Sequence, residues 1–189
     1  MKCKLTLLMI FMLFTKLCYG GDYYALVYGG IYSDSSFLST DFGFKNEYLQ
    51  AIAIGKEFWN YTDSLDNKLL GLELEGQVVN HIRDEDSFKE FVVASNVRLH
   101  ELPWERIKVT VASGIGLSLA TTVPDRERKD HSNANQLLCY LMYEATFSLP
   151  KYERWSLVPR MHHRSGVFGL FDGVHGGSNY PSLGIKYTF

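Results

Sequence analysis

Cysteine is nearly absent where it would matter. Of three in 189 residues, Cys3 and Cys18 lie within the first 20, and Cys139 stands alone in the rest. Once that N-terminal stretch is removed, no intrachain disulfide is possible. An excess of charge is missing as well: 19 Lys and Arg face 21 Asp and Glu, a net charge of −2. With a pI near 6.3, the chain offers no basic field, so nucleic acid is excluded as a partner. Long apolar runs are lacking too. The run at Leu5–Phe14 is too short and badly flanked for a stable transmembrane helix. Mean hydropathy is −0.10, ordinary for a soluble protein. No internal repeat or low-complexity segment is evident, and one domain is the natural reading.

What is present begins with an export signal. Lys2 and Lys4 form a basic n-region, Leu5–Phe14 an apolar h-region, and Cys18-Tyr19-Gly20 puts small residues at −3 and −1 of a cut before Gly21. Thr15-Lys16-Leu17-Cys18 is not a lipoprotein box. The expected division is therefore a signal peptide over 1–20 and a single folded unit over 21–189. The mature length suffices for about eight strands of roughly 9–11 residues with loops. Asn60-Tyr61-Thr62 matches a glycosylation sequon, which carries little meaning in a bacterial envelope.

The end of the chain carries the strongest pattern. Leu183, Ile185, Tyr187 and Phe189 alternate with Ser182, Gly184, Lys186 and Thr188, one oily face and one polar face of a strand. The spacing predicts seven more strands, giving 22–31, 47–59, 68–79, 88–100, 107–120, 136–148, 153–165 and 180–189. Leu70, Leu72 and Leu74 oppose Glu73, Glu75 and Gln77; Val93, Val97 and Leu99 oppose Glu90, Asn96, Arg98 and His100. The fold class expected is all-β, an eight-stranded antiparallel transmembrane β-barrel of the outer-membrane type. Its lipid-facing and lumen-facing residues average out, so the modest hydropathy is no objection. Glu73, Glu75, Glu90, Arg98 and Arg160 should pair inside the lumen, because unpaired buried charges are costly.

Long polar gaps at 32–46, 80–87, 121–135 and 166–179 alternate with tighter ones at 60–67, 101–106 and 149–152. This is the rhythm of long extracellular loops and short periplasmic turns. Trp59, Trp104 and Trp155 then fall near the periplasmic strand ends, with Tyr187 and Phe189, as an aromatic girdle. Arg126, Arg128 and Lys129 lie in the third extracellular loop, as solvated charges or as contacts for lipid phosphates.

Chemistry points to residues 160–179. Along the seventh strand, Trp155, Leu157, Pro159, Met161, His163 and Ser165 share one face, and Arg154, Ser156, Val158, Arg160, His162 and Arg164 the other. The arginines belong in the lumen, which puts His163 and Ser165 on the outer wall at its extracellular end. Pro159 cannot donate to a ladder, so a bulge is expected there, and a bulge would flip both residues inward. Two residues apart on one face, His163 and Ser165 have Cβ atoms about 6–7 Å apart. Suitable rotamers let the imidazole take the serine proton. His162, on the opposite face, reads as a lumen hydrogen-bonder. With no other ligand at suitable spacing, neither a metal site nor a cofactor is expected. His175 reads as a solvated loop residue.

This segment resembles the lipid A 3-O-deacylase (PagL-type) family of eight-stranded outer-membrane barrels, whose active site lies on the outer wall. His163-Arg164-Ser165 matches that family's His-x-Ser, Gly166–Gly177 its glycine-containing loop, and Phe189 its aromatic terminus. The match covers the last quarter of the chain. The resemblance implies a hydrolase cutting the 3-O-linked acyl ester of lipopolysaccharide in the bacterial outer membrane, with Ser165 as nucleophile and His163 as base. Gly166 stands where the family has the Asn whose backbone helps form the oxyanion hole, so the resemblance implies Gly166 as an oxyanion donor, and Gly177 stands where the family has the triad glutamate. No Glu follows Ser165. Asn179, on the outward parity of the last strand, and Asp172, the only acid in the loop, are the two candidates to orient His163. Expected partners are lipid A, the membrane and, as an admissible assembly, a homodimer. The alternatives are a non-enzymatic outer-membrane barrel for adhesion or membrane integrity, and a secreted soluble sandwich or lipocalin-like binder.

Overall fold

The computed structural model describes residues 22–35, 37–38, 41, 43–83, 87–102, 106–123 and 134–189. The region read as a signal peptide, Trp104, and the loop residues Arg126, Arg128 and Lys129 lie outside these. Eight antiparallel strands form a closed barrel in chain order: β1 Tyr23–Ser33, β2 Phe44–Thr62, β3 Lys68–Ile82, β4 Phe88–Leu102, β5 Lys108–Ala120, β6 Leu137–Ser148, β7 Trp155–Ser165 and β8 Gly177–Thr188. Closure is made by β1 against β8, from Tyr24↔Thr188 to Ser33↔Asn179. Phe189 takes part, its amide donating to the Tyr23 carbonyl at 2.9 Å.

Period-two patterning decides which face looks where. The outer wall exposes Val27, Ile52, Ile54, Leu74, Val78, Val93, Ile115, Leu117, Leu183 and Ile185, each at least 47% accessible. The buried set includes Glu73, Glu75, Gln77, Glu90, Arg98, Glu144, Arg160 and Lys186. A soluble sandwich or lipocalin-like barrel needs the reverse arrangement. An apolar outside around a polar inside is stable only where the outside meets lipid.

The interior charges are paired. Arg160 donates to both oxygens of Glu75, at 2.8 and 2.9 Å, and to Glu144 at 2.8 Å. Arg98 pairs with Glu73 and Glu144, and Lys186 reaches Glu144 at 2.7 Å. The Tyr24 hydroxyl donates to Glu75 at 2.7 Å. Glu144 therefore gathers three cations. Such a network is held less for net energy than because leaving any member alone in the lumen is costly. At the periplasmic end it floors a polar cavity of about 770 Å³ lined by Tyr24, Glu57, Lys68, Glu73, Arg98 and Lys186.

The periplasmic rim is aromatic. Trp59 and Trp155 are about half exposed. Trp155 packs on Tyr187 at 4.8 Å and Tyr187 on Phe189 at 5.2 Å between ring centroids. A register shift between Glu57 and Trp59 turns both Phe58 and Trp59 outward. The turn joining β2 and β3 is tied by the Asp63 carboxylate, which accepts from the Leu65 amide at 2.8 Å, the Asn67 amide at 2.9 Å and Asn67 Nδ2 at 3.0 Å.

Pro159 departs from expectation. Its register with β8 is unbroken, Leu157↔Ile185, Val158↔Gly184, Pro159↔Leu183, Arg160↔Ser182. The accommodation is made on the other side. The ladder with β6 passes from Glu144↔Arg160 to Phe147↔Leu157 without a shift, leaving out the rungs at Pro159 and Val158. A missing rung satisfies a residue without an amide proton as well as a bulge does, and the parity of β7 is kept.

Candidate active site

The parity of β7 places Val158, Arg160, His162 and Arg164 in the lumen, buried, and leaves His163 and Ser165 half-buried on the outer wall. In register, His163 lies between Leu141 on β6 and Asn179 on β8, and Ser165 between Cys139 and Gly177. Cys139 is a buried free thiol.

Asn179 is the polar partner of His163. Its Oδ1 stands 2.5 Å from His163 Nδ1, while its Nδ2 donates to the Ser35 carbonyl at 2.6 Å. A carbonyl oxygen only accepts, so the amide nitrogen must face Ser35 and the amide oxygen must face the ring. His163 Nδ1 therefore carries the proton, and Nε2 of the neutral ring is an acceptor. Ser33 pairs with Asn179 across β1 and β8, which is why the loop leaving β1 passes over this spot. Phe37 in that loop lies on the imidazole, ring centroids 4.4 Å apart, and on Tyr143 at 5.2 Å. The Tyr143 hydroxyl holds the loop by donating to the Phe37 carbonyl at 3.1 Å.

Ser165 Oγ accepts the Val167 amide at 3.1 Å, which leaves its own proton as a donor. Among the described residues no hydrogen bond joins it to His163. The loop that follows is tightly folded, with Val167, Phe168 and Asp172 at φ of 48°, 54° and 54°. These values are rare for residues with side chains, and for a β-branched valine above all. It carries Phe168, 94% exposed, and Leu170, 77% exposed.

The loop departs from expectation at Gly166 and Asp172. The Gly166 amide was the expected oxyanion donor, but it donates to the Gly176 carbonyl at 2.9 Å. The residue is a glycine for another reason: a Cβ there would overlap the Val174 carbonyl. Asp172 is exposed in the loop, and the side chain that meets the imidazole is Asn179. Gly177, at the position of the family's glutamate, faces Ser165 so closely that a Cβ would overlap the Arg164 carbonyl. No side chain fits at 177, and the ring takes its partner from 179. Ser35, Phe37 and Tyr143 were not foreseen. Tyr143 shares the outward parity of β6, but nothing in the sequence brings Ser35 and Phe37 to the site.

On the lumen side, His162 bonds Tyr28 and Glu90, at 2.8 and 3.1 Å. The absence of a metal was expected because His162 had no ligand at suitable spacing along the chain. Folding brings His81 and Glu90 to it from β3 and β4.

By fold the molecule is a bacterial outer-membrane β-barrel of eight strands. Among solved structures it is similar to the outer-membrane enzyme PagL, with a TM-score of 0.65 at 13% identity over 87% of this chain and 98% of that one. It is also similar to Neisserial surface protein A, with a TM-score of 0.53 at 12% identity over 90% and 98%. No family model and no curated relative matches the sequence.

Proposed function

We propose that this barrel is a lipid A deacylase of the PagL type, hydrolysing the 3-O-linked acyl ester of lipopolysaccharide from its outer wall. The observation that carries the reading is the Asn179–His163 hydrogen bond, which leaves Nε2 as a base on the same face as a serine hydroxyl. The site sits at the extracellular ends of β7 and β8, at the depth of the outer leaflet, where lipopolysaccharide resides. An ionisable group and a hydroxyl on a lipid-facing wall are expensive unless used. The fold likeness to PagL and the His-x-Ser resemblance support the same substrate.

Ser165 Oγ attacks the ester carbonyl as Nε2 takes its proton. The Val167 amide, which donates to Oγ before attack, is the backbone group assigned to the negative oxygen that develops, and backbone amides aimed at such an oxygen supply much of the rate. Collapse breaks the ester bond, and His163 returns the proton to the departing sugar oxygen. Water then attacks the acyl-serine with His163 again as base, releasing the 3-hydroxy fatty acid and restoring Ser165. Asn179 keeps the ring oriented, with Phe37 packed on its face.

The test is mass spectrometry of lipid A from cells expressing the wild type, Ser165→Ala or His163→Ala. Loss of the 3-hydroxy acyl chain in the wild type alone is expected, with all three proteins folded. The competing reading, a non-enzymatic barrel for adhesion or membrane integrity, shares every feature except the fate of Ser165. It becomes the better account if Ser165→Ala deacylates as the wild type does.

A further inference from the structure

Behind the outer-wall site, inside the barrel, three strands converge on one point. His81 Nε2 of β3 lies 2.7 Å from Glu90 Oε2 of β4, and His162 Nε2 of β7 lies 3.1 Å from the same oxygen. One donor atom from each residue lies within 4.8 Å of the others. All three side chains are at most 1% exposed.

Gln77 fixes the hydrogen-bond directions around this cluster. Gln77 Nε2 donates to Glu75, so Gln77 Oε1 accepts the Tyr28 hydroxyl proton at 2.5 Å. With that proton spent, the Tyr28 oxygen accepts from His162 Nδ1 at 2.8 Å. His162 Nδ1 therefore bears hydrogen, and with that single proton on the ring Nε2 turns a lone pair toward a carboxylate oxygen 3.1 Å away. Two lone pairs do not face each other at that distance without a cation between them. Glu90 sharpens the need. Among the described residues its ion-pairing partners are these two histidines, and a buried carboxylate is not left uncompensated.

We propose that His81, Glu90 and His162 bind a divalent transition-metal ion of the zinc class inside the barrel. Two imidazoles and a carboxylate are a common donor set for such ions. Ligand atoms around a tetrahedral zinc stand about 3.3 Å apart for bonds of about 2.0–2.1 Å, so the two histidine–carboxylate separations of 2.7 and 3.1 Å would open slightly, while the two imidazole nitrogens, within 4.8 Å of each other, would draw in toward the ion. The outer layer is in place as well. Tyr28 fixes the far nitrogen of His162, and Ser118 donates to the other Glu90 oxygen at 2.6 Å. Ligand orientation by such groups is the usual companion of a metal centre. His81 is held against Phe88, rings stacked at 4.3 Å. The ion would brace β7 to β3 and β4 across the lumen, directly behind His163.

The full barrel is refolded in detergent with Zn²⁺ or Co²⁺, freed of excess ion by gel filtration, and assayed for bound metal. One ion per chain is expected, with the intense visible absorption of four-coordinate Co²⁺. His81→Ala and His162→Ala should each weaken binding by roughly 100-fold or more, and Tyr28→Phe by about 10- to 100-fold, the usual cost of an outer-layer partner. His175→Ala, in the exposed loop, should change nothing. Heat-modifiable gel mobility checks that each variant is folded, and Glu90→Gln keeps the shape of the cluster should the alanine variants fail to close. A wild type that retains no metal overturns the proposal, leaving a proton on His162 as the buried cation. Equal retention by Glu90→Gln and the wild type overturns it as well.

Discussion

Asn179 faces His163 directly across the β7–β8 ladder, and their side chains meet at 2.5 Å. The amide is in turn held by Ser35 of the first loop, so one residue links the imidazole to two strands and a loop. Asn179→Ala should lower kcat for deacylation about 10- to 100-fold, the worth of one or two hydrogen bonds, with little change in KM. Ser165→Ala and His163→Ala should cost far more, and their losses should not add. Kinetics on lipopolysaccharide in mixed micelles separates the cases. Equal losses at Asn179 and His163 would make the amide part of the chemistry rather than an orienting group.

The exposed Phe168 and Leu170 sit three and five residues after Ser165 on the extracellular side. Phe168→Asp should raise KM for vesicle-borne lipopolysaccharide about tenfold or more, since burying a phenylalanine contributes roughly 1.5–3 kcal/mol. A short water-soluble ester, which needs no such contact, should be affected much less. A similar loss on both substrates would point to distortion of the loop instead.

Much of the architecture was legible because it rests on a period of two. All eight strands lie within three residues of the expected limits. Only β2 is off by three residues at both ends, which carry Lys45, Asn46 and Glu47 and the shift at Trp59, where alternation fails. The same parity predicted the outward positions of His163, Ser165 and Asn179. It could not show contacts that cross the fold. Ser35 and Phe37 reach the site through a loop with no repeating signal. Glu144 was hidden because Leu138, Tyr140 and Met142 face the lumen beside the apolar outer face of β6, which blurs the period. His81 and Glu90 are two ordinary lumen residues until the barrel closes and sets His162 against them. At Pro159 the missing donor is met by absent rungs to β6 rather than by the expected bulge, an alternative that composition alone does not distinguish.

Glu144 offers a test of the interior. Arg98, Arg160 and Lys186 all bond it. Glu144→Ala leaves these cations without their shared acceptor and should destabilise the barrel by roughly 3–5 kcal/mol. A lower temperature for loss of the compact gel form measures this. An unchanged temperature would mean that water or another carboxylate replaces it.

Phe189 closes the barrel through its amide to Tyr23 and through its ring on Tyr187. Deleting it, or replacing it with Asp, should sharply lower the yield of folded protein in the outer membrane, because the last strand of such a barrel is its expected assembly signal. Fractionation and heat-modifiable mobility report the outcome, and normal yields of both variants would contradict it.

The Asp63 turn predicts a pH dependence. Hydrogen bonds from the Asn67 side chain, the Asn67 amide and the Leu65 amide hold the carboxyl below its ordinary value of 3.8. A depressed value means that this contribution is complete above the unfolded value and lost as pH falls through the folded one. Exchange of the Leu65 and Asn67 amides should therefore accelerate below about pH 4, beyond the intrinsic rate. Asp63→Ala should abolish that step.

An eight-stranded barrel is just wide enough for side chains to fill. Here the filling is a lattice of Glu75, Arg160, Glu144, Arg98 and Lys186, each at most 4% accessible. The cavity at the periplasmic mouth is thus a blind vestibule that ends on fixed charges. Inserted into a planar bilayer under voltage, the protein should carry no steady ionic current. Whatever passes between cell and surroundings does so elsewhere, and this molecule meets its surroundings through its wall.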